Sequence, residues 1–398
     1  MRTALICTAA LLAGCAGGDE AGGSGGDASL EYGTLDGGPP MIVAHRGSAG
    51  TGAEESLEVY RAAVAAGVSV LEFDLIATKD HELIARHDPN LGLSTDVATR
   101  AEFADRKRMA KVDNATQEGW FASDFTLAEI KTLVATGHGK GSEHAGGSAR
   151  VATLGELIAF TKAATESSGR TIRIYVETKN PSYHRDMGLP LEDKLIDALD
   201  TAGWNSRSAP VVIQSFEPSS LKRMRKRSQA LMVQLIDADD VDLVTGELVY
   251  KLYNRPYDWT AAGDDRLFSS MVTSDGLAEI KKYADGIGPW KRYVVPVKGV
   301  LDEGGAPKDL NGDGKVGWPD TVTQPPTSLV QDAHAAGLFV HPFTFRSPAS
   351  RLPSDYAGDP KAEYRQFFAL GVDGVFTDYA HTALEALEEH TRKLRSGD

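Results

Sequence analysis

The sequence predicts a (β/α)8 barrel, an α/β fold with insertions after the second strand and in the second half. Three observations carry that prediction. Eight short apolar runs recur along the chain, and helix-like segments separate many of them. The runs are near-continuously apolar rather than alternating, as parallel strands covered on both faces must be. A doubly wound open sheet would show the same strand count and stays open as the alternative.

The strands are expected at 41–45 (MIVAH), 69–76 (SVLEFDLI), 172–178 (IRIYVET), 211–216 (VVIQSF), 231–236 (LMVQLI), 284–288 (ADGIG), 338–343 (LFVHPF) and 373–377 (DGVFT). Helical patterns fill 56–67, 153–169, 191–203, 219–229, 275–284 and 327–337. Gly67, Gly203 and Gly337 stand where a helix stop belongs. Two segments break the repeat. Residues 90–150 are polar and contain HAGGSAR, which reads as an insertion; residues 238–325 read as a second long excursion.

The first forty residues lie outside this pattern. Residues 1–14 have one basic residue, Arg2, followed by a short apolar stretch. That is signal-peptide composition, too short for a membrane span. The stretch ends in Leu12-Ala13-Gly14-Cys15, which resembles the bacterial lipobox; the resemblance implies a lipid on Cys15, export and anchoring to the cell envelope. Residues 15–40, Gly-rich and acidic, read as a flexible tether, and 41–398 as the barrel domain. Cys7 would leave with the signal, so the mature chain keeps one cysteine and forms no internal disulfide.

The 398 residues carry a net charge of −14. Nucleic acid is therefore not an expected partner, because phosphate backbones require a basic face. No motif implies a protein partner.

Chemistry concentrates where barrel strands end, the face on which such folds place their active sites. His45 and Arg46 end the first strand. Glu72 and Asp74 lie two residues apart on the second, so both carboxylates share one face. Like charges buried together repel, and a divalent cation relieves both the repulsion and the burial cost. His87 and Asp88 follow a short hairpin. The third strand ends with Glu177 and Lys179 on one face. All-oxygen ligands favour Ca²⁺ or Mg²⁺ over zinc. Arg46 and Lys179 favour an anion, best a phosphate. Two histidines can divide general-base and general-acid work. Together these features point to metal-assisted phosphoryl chemistry.

The set HRG, the E-x-D of LEFDLIATKD, the HD of ARHDPNL, ETK and the late GVDGVFTD resembles the glycerophosphodiester phosphodiesterase family, over residues 41 to about 382. STDVATRAEFADRKR, DFTLAEIKTL and HAAGLFVHPFTFR are similar to its larger, exported branch. The resemblance implies a TIM barrel that hydrolyses small glycerophosphodiesters to glycerol 3-phosphate and an alcohol. It implies metal ligation by Glu72, Asp74 and Glu177, base and acid roles for His45 and His87, and phosphate contacts from Arg46 and Lys179. It also implies attack on phosphorus by the neighbouring glycerol hydroxyl, through a cyclic phosphate that water opens. The family's Pro-Glu-Asn-Thr is here Ala53-Glu54-Glu55-Ser56. Glu54 keeps the acidic position as a candidate substrate contact, Glu55 puts a charge where the family has an amide, and Ser56 suits a helix N-cap.

Other features are weighed on their residues. DLNGDGKVGWPD, 309–320, resembles an EF-hand loop. Asp309, Asn311, Asp313, the Lys315 carbonyl and Asp320 would be the ligands of a second, structural Ca²⁺. The basic run 221–229 reads as a solvated helix face. Phe216 and Phe345, with Phe343 and Tyr379, would wall the substrate pocket. His341 and Arg346 flank that strand end without a catalytic assignment, and His138 and His144 fall in the insertion. Two rival functions remain. A phospholipase D acting on sphingomyelin or lysolipid would share the histidine and E-x-D scheme, but those toxins rely on disulfides. A non-catalytic surface-binding lipoprotein should have lost ligands or histidines, and none is missing.

Overall fold

The computed structural model describes residues 30–137 and 149–397. Cys15, His138 and His144 lie outside the described residues. The chain divides after Leu30, and the barrel belongs to the unit Glu31–Asp398.

Eight parallel strands form the barrel: β1 (Met41–Ala44), β2 (Val70–Ala77), β3 (Arg173–Thr178), β4 (Val211–Ser215), β5 (Leu231–Ile236), β6 (Gly286–Pro289), β7 (Phe339–Val340) and β8 (Gly374–Thr377). They neighbour one another in chain order, and β1 pairs in parallel with β8. At the remaining seam, between β7 and β8, Phe376 N donates to Pro342 O at 3.0 Å and Phe345 N to Phe376 O at 2.8 Å. The sheet therefore curls into a nearly closed barrel and not the open alternative. Each strand falls within about two residues of its expected span.

A helix follows every strand: α1 (Leu57–Ala65), α2 (Leu154–Ser168), α3 (Leu191–Ala202), α4 (Pro218–Arg225), α5 (Ser274–Ile280), α6 (Leu329–Ala335), α7 (Pro360–Ala369) and α8 (Ala380–Ser396). Local chemistry sets their ends. Ser56 Oγ accepts from Val59 N at the start of α1, as its position suggested. Thr153 and Glu156 form a reciprocal capping box on α2. Gly169 and Gly203 end α2 and α3 in the left-handed conformation that glycine adopts without strain. Side chains between strands and helices form the main core; a separate layer inside the barrel contains Val43, Val70, Tyr175, Val212, Val233, Leu235 and Phe376. Truncating a leucine of the main core, such as Leu71, to alanine would cost about 2–5 kcal/mol.

The insertion after β2 has a core of its own around Ile84, Leu91, Val97, Phe125 and Ile130. It sends out a β-hairpin, Arg108–Val112 paired with Ala115–Gly119, whose turn is Asp113-Asn114. The excursion expected as one piece over 238–325 is two pieces, because β6 and α5 are barrel elements within it. One piece precedes them and carries the helix Tyr257–Ala262; the other follows as a hairpin, Val297–Gly299 with Thr321–Thr323, that holds the 309–320 loop.

Residues 32–35, within the span expected as a tether, contact the barrel: Tyr32 Oη lies 2.8 Å from Thr391 Oγ1, and Leu35 N donates to Asp373 Oδ1 at 2.6 Å. The basic run is held by ion pairs: Arg225 with the buried Asp285, and, on the surface, Arg227 with Asp193 and Asp197.

Candidate active site

Strand register builds the site. Asp74 on β2 pairs with Glu177 on β3, and Glu177 pairs with Gln214 on β4, so three polar side chains stand side by side facing inward. Glu72 lies two residues below Asp74. Its Oε1 accepts from Gln214 Nε2 at 3.2 Å and its Oε2 from the Arg46 backbone N at 2.7 Å. Arg46 reaches this position with φ 51°, ψ 32°, in the left-handed region. Strain at a non-glycine residue is tolerated where surrounding contacts fix it, here at the mouth of β1.

Glu72, Asp74 and Glu177 each offer an oxygen within 4.8 Å of the others, and all three are buried. They are the only such group among the described residues. Burial and the neighbouring Asp74 carboxylate push Glu72 well up, and burial pushes Glu177 up to about 8 although Lys179 opposes it. Burial also raises Asp74, but Lys179, His87 and Arg46 outweigh it and hold that carboxyl below its ordinary value. A set of buried oxygens this close fits a hard divalent cation.

Two cations face the carboxylates. Lys179 Nζ lies 3.0 Å from Glu177 Oε1 and 3.7 Å from Asp74 Oδ1. Arg46 Nε lies 3.3 Å from Asp74 Oδ2, and its Nη1 donates to Glu54 Oε2 at 3.2 Å. Both line one cavity of about 420 Å³, with His45, His87, Glu72, Asp74, Glu177 and Phe216.

The two histidines share that cavity but have different surroundings. His45 Nδ1 lies 2.6 Å from Asp378 Oδ1, and Arg346 Nε donates to Asp378 Oδ2 at 2.7 Å. His87 Nδ1 lies 3.0 Å from Asp88 Oδ2. Burial lowers both. His87 falls to about 4, with the positive charges of Arg46 and Lys179 adding to burial.

Two expected substrate contacts are elsewhere. Phe345 is fully buried, stacked on Tyr364 and against Phe367 of α7, whereas its neighbours Phe343, Thr344 and Arg346 line the cavity. Glu54 does not line the cavity. It is buried under Arg46, and its backbone O accepts from Arg86 Nη1 at 3.1 Å. Glu55 is also buried: Oε1 accepts from Asp74 N and Oε2 from Tyr60 Oη, and burial and the Asp74 carboxylate push it well above its ordinary value although the Tyr60 bond and Arg86 oppose them.

In the 309–320 loop, Asp309 accepts from Gly312 N and Gly314 N, and Asp313 Oδ1 from Lys315 N. The buried Asp320 accepts from Leu310 N, Asn311 N and Gly317 N. Asn311 Oδ1 accepts from Asp313 N. These bonds fold the loop on its own side chains, far in sequence from the cavity residues of β1 to β3.

Asp378, Arg346 and Gln214 are site residues without a role in the sequence reading. Asp378 was reachable: it follows β8, and strand ends are where functional groups belong.

Residues 45–382 match the model of the glycerophosphoryl diester phosphodiesterase family. The chain is 33% identical over 355 residues to glycerophosphodiester phosphodiesterase GDPD6 of Arabidopsis thaliana, covering 85% of this chain and 84% of that one. It is 29% identical over 369 residues to a glycerophosphodiester phosphodiesterase of Haemophilus influenzae, covering 87% and 90%. Among solved structures, an Oleispira antarctica phosphodiesterase in complex with the product sn-glycerol-3-phosphate superposes with a TM-score of 0.52 at 16% identity, covering 89% of this chain and 99% of that one. A glycerophosphodiester phosphodiesterase from Agrobacterium tumefaciens superposes at 0.50 and 13% identity, covering 87% and 99%.

Proposed function

The chain belongs to the glycerophosphoryl diester phosphodiesterase family, and from that premise we propose that it hydrolyses glycerophosphodiesters to glycerol 3-phosphate and an alcohol, with His45 as base and His87 as acid. The observation that carries this reading is one cavity lined by both histidines, three clustered carboxylates, Arg46 and Lys179.

Glu72, Asp74 and Glu177 would hold the cation, Ca²⁺ or Mg²⁺, which when bound withdraws charge from the phosphoryl oxygens. Arg46 and Lys179 neutralise the phosphate and orient it. The carboxylate of Asp378 can only accept, so the proton of neutral His45 lies on Nδ1 and Nε2 is left as the base. Nε2 takes the proton of the glycerol hydroxyl beside the phosphate as that oxygen bonds to phosphorus. The bond from phosphorus to the leaving oxygen breaks, and protonated His87 gives that oxygen its proton. In the second step water bonds to phosphorus as His87 removes its proton, the bond from phosphorus to the glycerol oxygen that attacked in the first step breaks, and His45 returns a proton to that oxygen. Burial, with the positive charges of Arg46 and Lys179 adding to it, lowers His87 in the free protein. The negative phosphodiester offsets those two charges and so favours loading of the acid.

A panel of glycerophosphodiesters assayed with and without chelator tests this reading. Turnover that chelator abolishes and metal restores is expected; no turnover of any diester with metal present would end it.

The same reading includes two peripheral features. A Ca²⁺ in the 309–320 loop would draw on Asp309, Asn311, Asp313, the Lys315 carbonyl and Asp320, and calcium should raise the melting temperature less in an Asp309→Ala, Asp313→Ala double variant. Envelope anchoring rests on the Leu-Ala-Gly-Cys ending, and Cys15→Ser should move the protein out of the membrane fraction. Among the described residues no helix is long and apolar enough to cross a membrane.

A further inference from the structure

Beyond the catalytic floor the cavity has a second zone. Its carboxylate walls are Asp88, Asp113 and Asp237, and Tyr253 and Tyr257 stand with them; Glu217 also lines it but is raised by burial to about 8 and accepts from Ser182 N and Oγ. Two arginines also line it, and both are engaged. Arg255 donates to Asp264 O at 2.7 Å and Asp265 Oδ1 at 3.0 Å, and Arg346 donates to Asp378. The outer zone therefore presents the carboxylates of Asp88, Asp113 and Asp237 and aromatic surface, in the same cavity as Arg46 and Lys179.

Asp113 is delivered there by structure. It is the turn residue of the insertion's hairpin, with φ 50°, and its Oδ2 accepts from Asn180 Nδ2 at 2.5 Å. Asn180 directly follows Lys179, so the bond ties the hairpin to the end of β3. The next turn residue, Asn114, donates to Leu252 O at 3.0 Å, and Asp239 accepts from Tyr253 N. Two insertions thus meet over the cavity with Asp113 and Tyr253 between them. Asp113 Oδ1 is buried and has no hydrogen-bond partner. Burial pushes Asp113 up to about 6, which still leaves it charged at neutral pH. Tyr253, half exposed, lines the same cavity as Asp113 and Asp88.

We infer that this zone is a leaving-group subsite selective for alcohols bearing an ammonium group, primary or quaternary, with Asp113 supplying the charge and Tyr253 the aromatic face. The inference rests on the proposed role of His87 as the acid, because Asp88 adjoins His87 and the alcohol departs on that side. An ammonium is attracted both to a carboxylate and to an aromatic face. A carboxylate that served only to neutralise Lys179 would behave differently: Lys179 faces the phosphate common to all substrates, so its loss would affect every diester alike.

The test compares kcat/KM for glycerophosphocholine and glycerophosphoethanolamine with that for the uncharged-headgroup diester glycerophosphoglycerol, in the native protein and in Asp113→Asn. Asparagine retains an oxygen for Asn180 and removes only the charge. The native protein should favour the ammonium substrates by about tenfold, the scale of a partly desolvated cation–π and charge contact. Asp113→Asn should erase most of that ratio. Calorimetry on the metal-loaded protein adds a readout that needs no turnover: choline should bind more tightly than its uncharged isostere 3,3-dimethylbutanol, and Asp113→Asn should remove the difference. Diester turnover with no headgroup preference, and equal binding of choline and the isostere, would overturn the subsite and leave the phosphodiesterase reading intact. Choline selectivity without turnover of any diester would uphold the subsite and overturn that reading.

Discussion

His45 Nδ1 and Asp378 Oδ1 stand 2.6 Å apart, joining the mouths of the first and last barrel strands. The contact fixes the ring of the proposed base, and Arg346 fixes the carboxylate from its other side. Burial lowers the His45 ring, Asp378 partly restores it, and His45 in turn holds Asp378 below the ordinary carboxylate range against burial.

Replacing Asp378 by asparagine keeps the shape and removes the charge. An amide can donate to Nδ1, which would shift the His45 proton to Nε2 and block the base. Turnover should fall about 10²–10⁴-fold, the usual worth of positioned acid–base catalysis. KM should change much less, because Arg46 and Lys179 still meet the phosphate. Steady-state kinetics separate the two effects; an equal rise in KM would mean that Asp378 serves binding.

Asp74→Asn should lose the metal, because it removes a ligand charge from a set of three. Metal content after dialysis is the readout, and it needs no substrate. Retention of a full equivalent of metal by the variant would remove Asp74 from the ligand set.

His184 gives a stability prediction away from the site. It is fully buried in the short helix Pro181–Asp186, neither ring nitrogen has a hydrogen-bond partner, and burial lowers it to about 3. The folded protein keeps this ring neutral, whereas the unfolded chain binds a proton below about pH 6.5. Stability from this group is therefore intact above pH 6.5 and is lost as pH falls toward 3, by about 1.4 kcal/mol per unit. His184→Leu removes that slope and should melt less steeply with acid than the native protein. Denaturant midpoints from pH 7 to pH 4 measure the difference; parallel curves would show that His184 is protonated in the fold.

Much of this was legible in the sequence because a parallel barrel writes itself as apolar runs. The carboxylate cluster was equally legible, since Glu72, Asp74 and Glu177 are fixed by alternation within strands. Phe345 was misplaced because strict alternation would put it on the same face as Phe343, and the segment after β7 does not keep that alternation: Phe343 and Thr344 both line the cavity while Phe345 packs on α7. Glu54 could not be separated from a substrate contact without knowing that Arg46 and Arg86 enclose it. Asp113 and Tyr253 were out of reach, because their meeting depends on how two insertions fold toward each other. The excursion expected over 238–325 overlaps the strand expected at 284–288, because that strand, Gly286–Pro289, is short and glycine-rich and interrupts the polar stretch only briefly.

The most direct test of the two-histidine account is glycerol 3-phosphate release at saturating metal by the native protein, His45→Ala, His87→Ala and the double variant. Each single variant should lose about 10²–10⁴ in turnover. The double variant should be little worse than either single one, because the two groups act as a unit. Near-native turnover in His45→Ala would contradict the account.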